Sequence, residues 1–263
     1  MSFIASIAPD AADGATAEMY RRQQASWGFV PNYAKVFSHR PEIMARWGRL
    51  LTEIKRPMES RRFELVTFIA AHALGNTACT LAHGKALRPF FSDAQILAIA
   101  KGRLDGVLDA AEQAMLRFAR QVAIDAARVT AADVAALARH GFADAEIFDI
   151  AAAAAGRAFF TKMLDALGVL ADAPMGPIDA TLRRALTVGR PIDERPPATM
   201  PAAVEANADA VTAPVVMNEL KPGRGTEEPF GITCRTSSSA TPSMPMPARG
   251  SGRSRRWRQD WPG

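Results

Sequence analysis

The chain has 263 residues, 48% of them hydrophobic and 22% charged, with a formal net charge of +5. That length holds one large or two small domains, and the apolar fraction suffices for a packed core. Two cysteines, Cys79 and Cys234, are too few for a disulfide-stapled secreted scaffold, and no apolar run approaches the length of a membrane span.

In chain order, residues 1–10 carry neither the basic start nor the apolar core of a signal peptide. Together with the cysteine usage this predicts a soluble cytoplasmic protein with no membrane partner. Ala11 to Trp27 reads as an opening helix, with Met19, Tyr20 and Gln23 at helical spacing. Pro31-Asn32 opens a short turn or helix carrying Tyr33, Val36 and Phe37. Pro41 suits the first turn of the next helix, through Met44, Trp47, Leu50 and Leu51 to about Ile54. Ser60 is the expected N-cap of a helix that bears Glu64 and sends Phe63, Val66, Phe68 and Ile69 into the core. Gly75-Asn76 breaks the pattern, and a second helix restarts with Asn76 or Thr77 as its cap, carrying Cys79 and His83.

Ser92-Asp-Ala-Gln95 has capping-box spacing and starts a short helix that ends at Lys101-Gly102. Asp109 to Glu112 opens another, with Met115, Leu116, Phe118, Ala119 and Val122 on its buried side. Thr130 caps a helix closed by His140-Gly141. Asp144 to Leu167 is the longest helical segment; its strip Ala151 to Gly156 admits a close neighbour, either a second subunit or another helix of the same chain. A weaker helix covers Asp179 to Val188. No alternating strand pattern stands out, so residues 1–190 are expected to form one all-α domain. From about Pro191 the prolines and the run Thr236 to Pro247 predict a largely disordered tail over residues 191–263. Arg253-Ser-Arg-Arg-Trp-Arg258 interleaves basic and aromatic residues, but one short run reads as a solvated end, and no nucleic-acid partner is expected.

Cys79 and His83 are four residues apart, so one helix face carries both a thiol and an imidazole. In the first turn of its helix, Cys79 lies where the dipole favours the thiolate. Glu64 is the nearest upstream carboxylate able to orient His83. The plain alternative is inert packing, since free cysteine is among the most buried residue types. His72, eight residues beyond Glu64, reads as a pocket residue or as a buried donor satisfied by a backbone carbonyl. His39 and His140 sit at element ends and read as surface or capping residues. Neither metal-ligand spacing nor a phosphate loop is present, so no metal and no cofactor are expected. Cys234 could resolve an oxidised Cys79 only if the tail folded back, which nothing in the sequence directs.

The order Glu64, Asn76, Cys79, His83 resembles the signature of the AhpD-like / carboxymuconolactone decarboxylase superfamily, a Glu followed by Cys-x-x-Cys-x-x-x-His. Gly28-Phe-Val-Pro-Asn32 with His39-Arg-Pro-Glu42 is similar to its N-terminal segment. Leu116 to Ala119, Val129 to Asp133, Gly141 to Ile147 and Phe159 to Val169 look like its later helices, so that the resemblance spans about residues 10 to 172. It implies an AhpD-like helical bundle that self-associates and carries peroxidase-related antioxidant chemistry on a hydroperoxide. In that chemistry Cys79 is the attacking thiol, His83 its base and Glu64 the relay. One departure matters: Asn76 occupies the place of the first cysteine. No local disulfide can then close, an external thiol must act as reductant, and Asn76 offers a hydrogen bond where the family has sulfur. The superfamily's other branch implies a lyase on a small carboxylated lactone, with His83 and Glu64 doing acid–base work and Cys79 incidental. Arg61, Arg62, Lys85 and Arg88 are the cations near enough in sequence to serve its carboxylate. A redox-inactive oligomeric scaffold is the third reading.

Overall fold

Ten α-helices supply nearly all the regular structure in residues 2–175 and 179–201, the residues that the computed structural model describes. They are α1 Gly14–Trp27, α2 Asn32–Val36, α3 Pro41–Lys55, α4 Ser60–Ala73, α5 Thr77–Ala86, α6 Asp93–Ala100, α7 Ala110–Asp125, α8 Ala131–Arg139, α9 Asp144–Ala166 and α10 Ala180–Leu186. The all-α expectation holds, and the helix starts follow local chemistry. Ser92, Asp109 and Thr130 each close a capping box with the third residue of their helix, satisfying two amides that the helix itself cannot. Pro41 sits at the first helical position of α3, where its missing N–H costs nothing. At α4 the reading is corrected by one residue: the cap is Glu59, without a side-chain bond, and Ser60 is already helical.

Helix α4 is the centre of the bundle. It packs against α5, α7 and α9, and Phe63, Leu65, Val66 and Phe68 on it are all buried. Four successive buried positions, Leu65 to Phe68, cover the helix on every side, as a helix enclosed by neighbours requires. Helix α3 lies across α9. There Gly156 faces the Trp47 ring, and a Cβ built at Gly156 would come within 3.2 Å of it. The small-residue strip at Gly156 is thus an internal contact, and Trp47 stacks on Phe160 one turn further along, with ring centroids 5.7 Å apart.

Past α9 the chain folds back over the site-bearing helices. Gly75 turns α4 into α5 with a left-handed φ of 73°. The segment after α10 crosses that turn so closely that a Cβ on Gly189 would meet the Gly75 carbonyl oxygen at 1.8 Å. Leu186 presses on Gly84 of α5 in the same way. The stretch after Pro191, expected to leave the bundle, stays on it as far as Met200. Strand β1, Ala171–Asp172, pairs in parallel with β2, Ile192–Asp193. Val30 N–H donates to the Ala198 carbonyl at 2.8 Å, Asn32 donates through Nδ2 to Asp193 at 3.2 Å, and Met200 is buried. No helix among the described residues is long and apolar enough to cross a membrane. Residues 202–263, with Cys234, the Ser/Pro run and Arg253 to Arg258, lie outside the described residues.

The crossing at Gly189 gives a direct test. Gly189→Ala must push backbone against backbone, and overpacking of this kind costs about 1–3 kcal/mol. The urea midpoint should fall accordingly, with the slope of the transition unchanged; an unshifted midpoint would mean that the crossing yields freely.

Candidate active site

Three consecutive helices bring the site together. The Gly75 turn lays α5 against α4, so that residues on their facing sides meet although nineteen positions separate them. His83 donates from Nδ1 to Glu64 Oε2 at 2.7 Å. Glu64 is an acceptor as a carboxylate, so the hydrogen sits on Nδ1 and the lone pair on Nε2. Thr67 Oγ1 lies 3.1 Å from the same Nδ1 and itself donates to the Phe63 carbonyl at 2.8 Å. Lys55, at the end of α3, donates from Nζ to the other Glu64 oxygen at 3.1 Å. Both Glu64 and His83 are buried, so this is a charged chain inside the bundle, open to solvent only at Lys55.

The electrostatics follow. Burial alone would raise the Glu64 carboxyl, but the bonds and charges of His83 and Lys55 more than offset it and hold it at about 2. Burial, with Arg157 nearby, pushes His83 below its ordinary value, so the ring is neutral near pH 7 and its Nε2 can take a proton. Burial pushes the Cys79 thiol up, and Arg157 pulls it back down without cancelling the rise.

Cys79 occupies the third position of α5 and is 4% exposed. Its N–H donates to Asn76 Oδ1 at 2.9 Å, which makes Asn76 the N-cap and leaves Thr77 as the first helical residue. The other end of the Asn76 amide donates from Nδ2 to Asp165 Oδ1 on α9 at 3.0 Å. With both ends engaged, Asn76 fixes the start of α5 and so the place of the sulfur. Arg157 of α9 reaches that sulfur: its Nη1 donates to Sγ at 3.7 Å. Tyr33 of α2 stands beside them; its hydroxyl accepts from Trp27 Nε1 at 2.9 Å and donates to Gln23 at 2.5 Å.

The structure therefore joins Glu64 to His83 directly, and Arg157 contacts Cys79 while its charge acts on both the thiol and the imidazole. His72 makes other contacts: its ring lies 5.9 Å from Phe68 and its charged neighbour is Arg120 on α7. Its offset of eight residues from Glu64 turns it away around the helix. Arg61, Arg62 and Arg88 pair with Glu112, Glu146 and Asp93, and Lys85 lies over the Trp27 ring; none of the four bonds to the site. Sequence reasoning missed Lys55 and Arg157. Lys55 had no signal beyond ending the preceding helix. Arg157 had one: it continues the buried series Ile147, Ile150, Ala154, with Thr161 and Leu164 after it, and a charge at a core position of that period marks a site.

Solved structures share this architecture. The chain is similar to an uncharacterized peroxidase-related protein, an alkylhydroperoxidase AhpD core from Ralstonia eutropha JMP134, at 23% identity over 72% of this chain and 98% of that one, with a TM-score of 0.58. It is also similar to a peroxidase-related protein from Silicibacter sp. TM1040, at 22% identity over 64% and 91% of the two chains, TM-score 0.54. A third is the debrominase Bmp8, solved as a Cys-to-Ala variant in complex with 2,3,4-tribromopyrrole, at 19% identity over 71% and 98%, TM-score 0.54. No protein-family model and no curated protein matches the chain. The fold is AhpD-like.

The buried pair predicts how stability depends on pH. An imidazole kept neutral in the fold binds its proton less tightly than the unfolded chain does, so acidification below about 6.5 favours unfolding. Glu64, lowered from 4.5 to about 2, adds a second loss as the pH falls through that lower range. Thermal midpoints measured at pH 7 and pH 5 should drop in the wild type and drop less in His83→Gln. An equal or larger drop in the variant would mean that His83 carries its extra proton in the fold.

Proposed function

We propose that the protein is a peroxidase-related oxidoreductase that reduces a small hydroperoxide with the single thiol of Cys79, using His83 and Glu64 as its proton relay. The observation that carries this reading is the Glu64–His83 hydrogen bond of 2.7 Å, because it sets the tautomer whose free nitrogen is the basic one. In the first step the sulfur attacks the terminal peroxide oxygen. The S–O bond forms, the O–O bond breaks, His83 takes the thiol proton and returns it to the departing alkoxide, and the products are an alcohol and Cys79 sulfenic acid. An external thiol then condenses with the sulfenic acid to a mixed disulfide and water, and a second thiol releases Cys79 with formation of the external disulfide.

A reducing cytoplasm supplies such thiols. The AhpD-like fold shared with two peroxidase-related proteins supports the reaction class. Phe148, Phe159 and Leu50, apolar yet exposed on α9 and α3, support self-association. The debrominase among the similar structures supports a second reading, thiol-dependent removal of bromide from a small bromoarene. The lyase reading has less behind it, since three of its four candidate cations are engaged in ion pairs and the fourth lies over a ring.

Dilute hydroperoxide should convert Cys79 in the folded protein to a dimedone-reactive species. Cys79→Ser should abolish turnover, and Glu64→Gln should slow it by about 10²–10⁴, the usual worth of a positioned acid–base group. A thiol that reacts only after unfolding would falsify the proposal. Bromide release from 2,3,4-tribromopyrrole, without peroxide turnover, would favour the debrominating reading; lyase turnover that survives Cys79→Ser would favour the lyase.

A further inference from the structure

Arg157 is the feature that the proposed relay leaves unexplained. A guanidinium remains protonated at any pH a protein meets, and burying one without a counter-ion is costly. Arg157 is 4% exposed, and no carboxylate among the described residues pairs with it. Its Nε is buried and unpartnered. The compensation in view is the Phe160 ring, 5.5 Å from the guanidinium carbon, and the sulfur of Cys79 at 3.7 Å from Nη1.

The charges around the sulfur point the same way. Lys55 and Glu64 pair with each other and His83 is neutral; of the two charges that act directly on the thiol, Arg157 favours the thiolate and outweighs Asp165, which opposes it. On the remaining sides, Asp165 bonds to Asn76 and lies near Arg190, Asp172 accepts from the Asn32 amide, and Tyr33 is held as a neutral phenol by burial. None of these groups bonds to Arg157.

We propose that Arg157 is the counter-charge of Cys79, a catalytic residue that favours the thiolate over the thiol and so supplies the attacking form of the sulfur. The inference rests on Cys79 being the reacting group, and it concerns ionisation rather than the substrate. The anion of the pair is the thiolate itself, and the N-terminal turn of α5, in which the sulfur sits, adds a smaller contribution of the same sign.

Two measurements test it without any peroxide. The first is the pH dependence of Cys79 alkylation by iodoacetamide in the folded full-length protein, with Cys79→Ser subtracting the contribution of Cys234. Arg157→Met should raise the apparent thiol pKa by about one unit and slow alkylation at pH 7 about tenfold, while Arg157→Lys should recover part of the loss. The second covers the case in which Arg157 variants fail to fold. Cys79→Asp and Cys79→Asn differ in charge at nearly constant shape, so the aspartate variant should have the higher urea midpoint at pH 7 and lose that advantage at pH 3. Supporting outcomes are the raised thiol pKa and the more stable aspartate variant. An unchanged alkylation profile in Arg157→Met, or an asparagine variant at least as stable as the aspartate one at pH 7, overturns the inference. If both measurements support the pair while peroxide leaves Cys79 unoxidised, the reaction assignment fails and the ion pair stands.

Discussion

Glu64 and His83 are ionisable groups taken out of water, and the bundle holds together around them only in an arrangement that lets each satisfy the other. Glu64 lies on α4, His83 on α5, and the cation that completes the carboxylate comes from the last residue of α3. A rotation of α4 by one residue would swing Glu64 through about 100° and strand a buried carboxylate. The apolar side chains of the same helix tolerate such a shift better, because they are buried on every side. Polar pairing therefore sets the register of three helices, and apolar burial supplies most of the stabilisation.

That pairing also orders the chemistry. Glu64 accepts from Nδ1 and from Lys55, so its negative charge is committed on the side away from Nε2. The imidazole faces its remaining neighbours as a neutral base, next to a guanidinium that disfavours a second proton on the ring. Arg157 thus acts with one sign on two groups: it weakens His83 as a base and strengthens Cys79 as an acid. Under the proposed reaction, a proton leaving the sulfur does not settle for long on such an imidazole, which suits an intermediary that hands it to a leaving oxygen.

Much of this was legible from local rules. Gly75-Asn76 reads as a break and a cap, and the four-residue spacing of Cys79 and His83 reads as one helix face, because each depends on residues adjacent in sequence. The same holds for the capping boxes at Ser92, Asp109 and Thr130. What stayed hidden is long-range. Lys55 reaches Glu64 through the packing of α3, and Arg157 reaches Cys79 across 78 positions of sequence. Composition after Pro191 signals the end of helix, and helix does end there. It does not forbid an irregular strap held by backbone bonds to Val30 and by the side chains of Asn32 and Gln24. His72 shares α4 with Glu64, yet its neighbours are Phe68 and Arg120.

Asn76 draws these strands together. In the resemblance its position belongs to a cysteine, and a sulfur there would be the natural partner of Cys79. In this chain the side chain instead caps α5 through Oδ1 and ties it to α9 through Asp165, the helix that also carries Arg157. A cysteine cannot accept from the Cys79 amide as well as an amide oxygen can, nor donate to Asp165 as an amide nitrogen does. As a strut, Asn76 fixes the start of the helix that carries Cys79 against α9; under the proposed peroxidase reaction, regeneration of the sulfur falls to a reductant from outside. In that reaction, a site with one sulfur has no second thiol close by in the sequence to intercept the oxidised intermediate. The persistence of that intermediate then depends on access, and the 4% exposure of Cys79 sets access low.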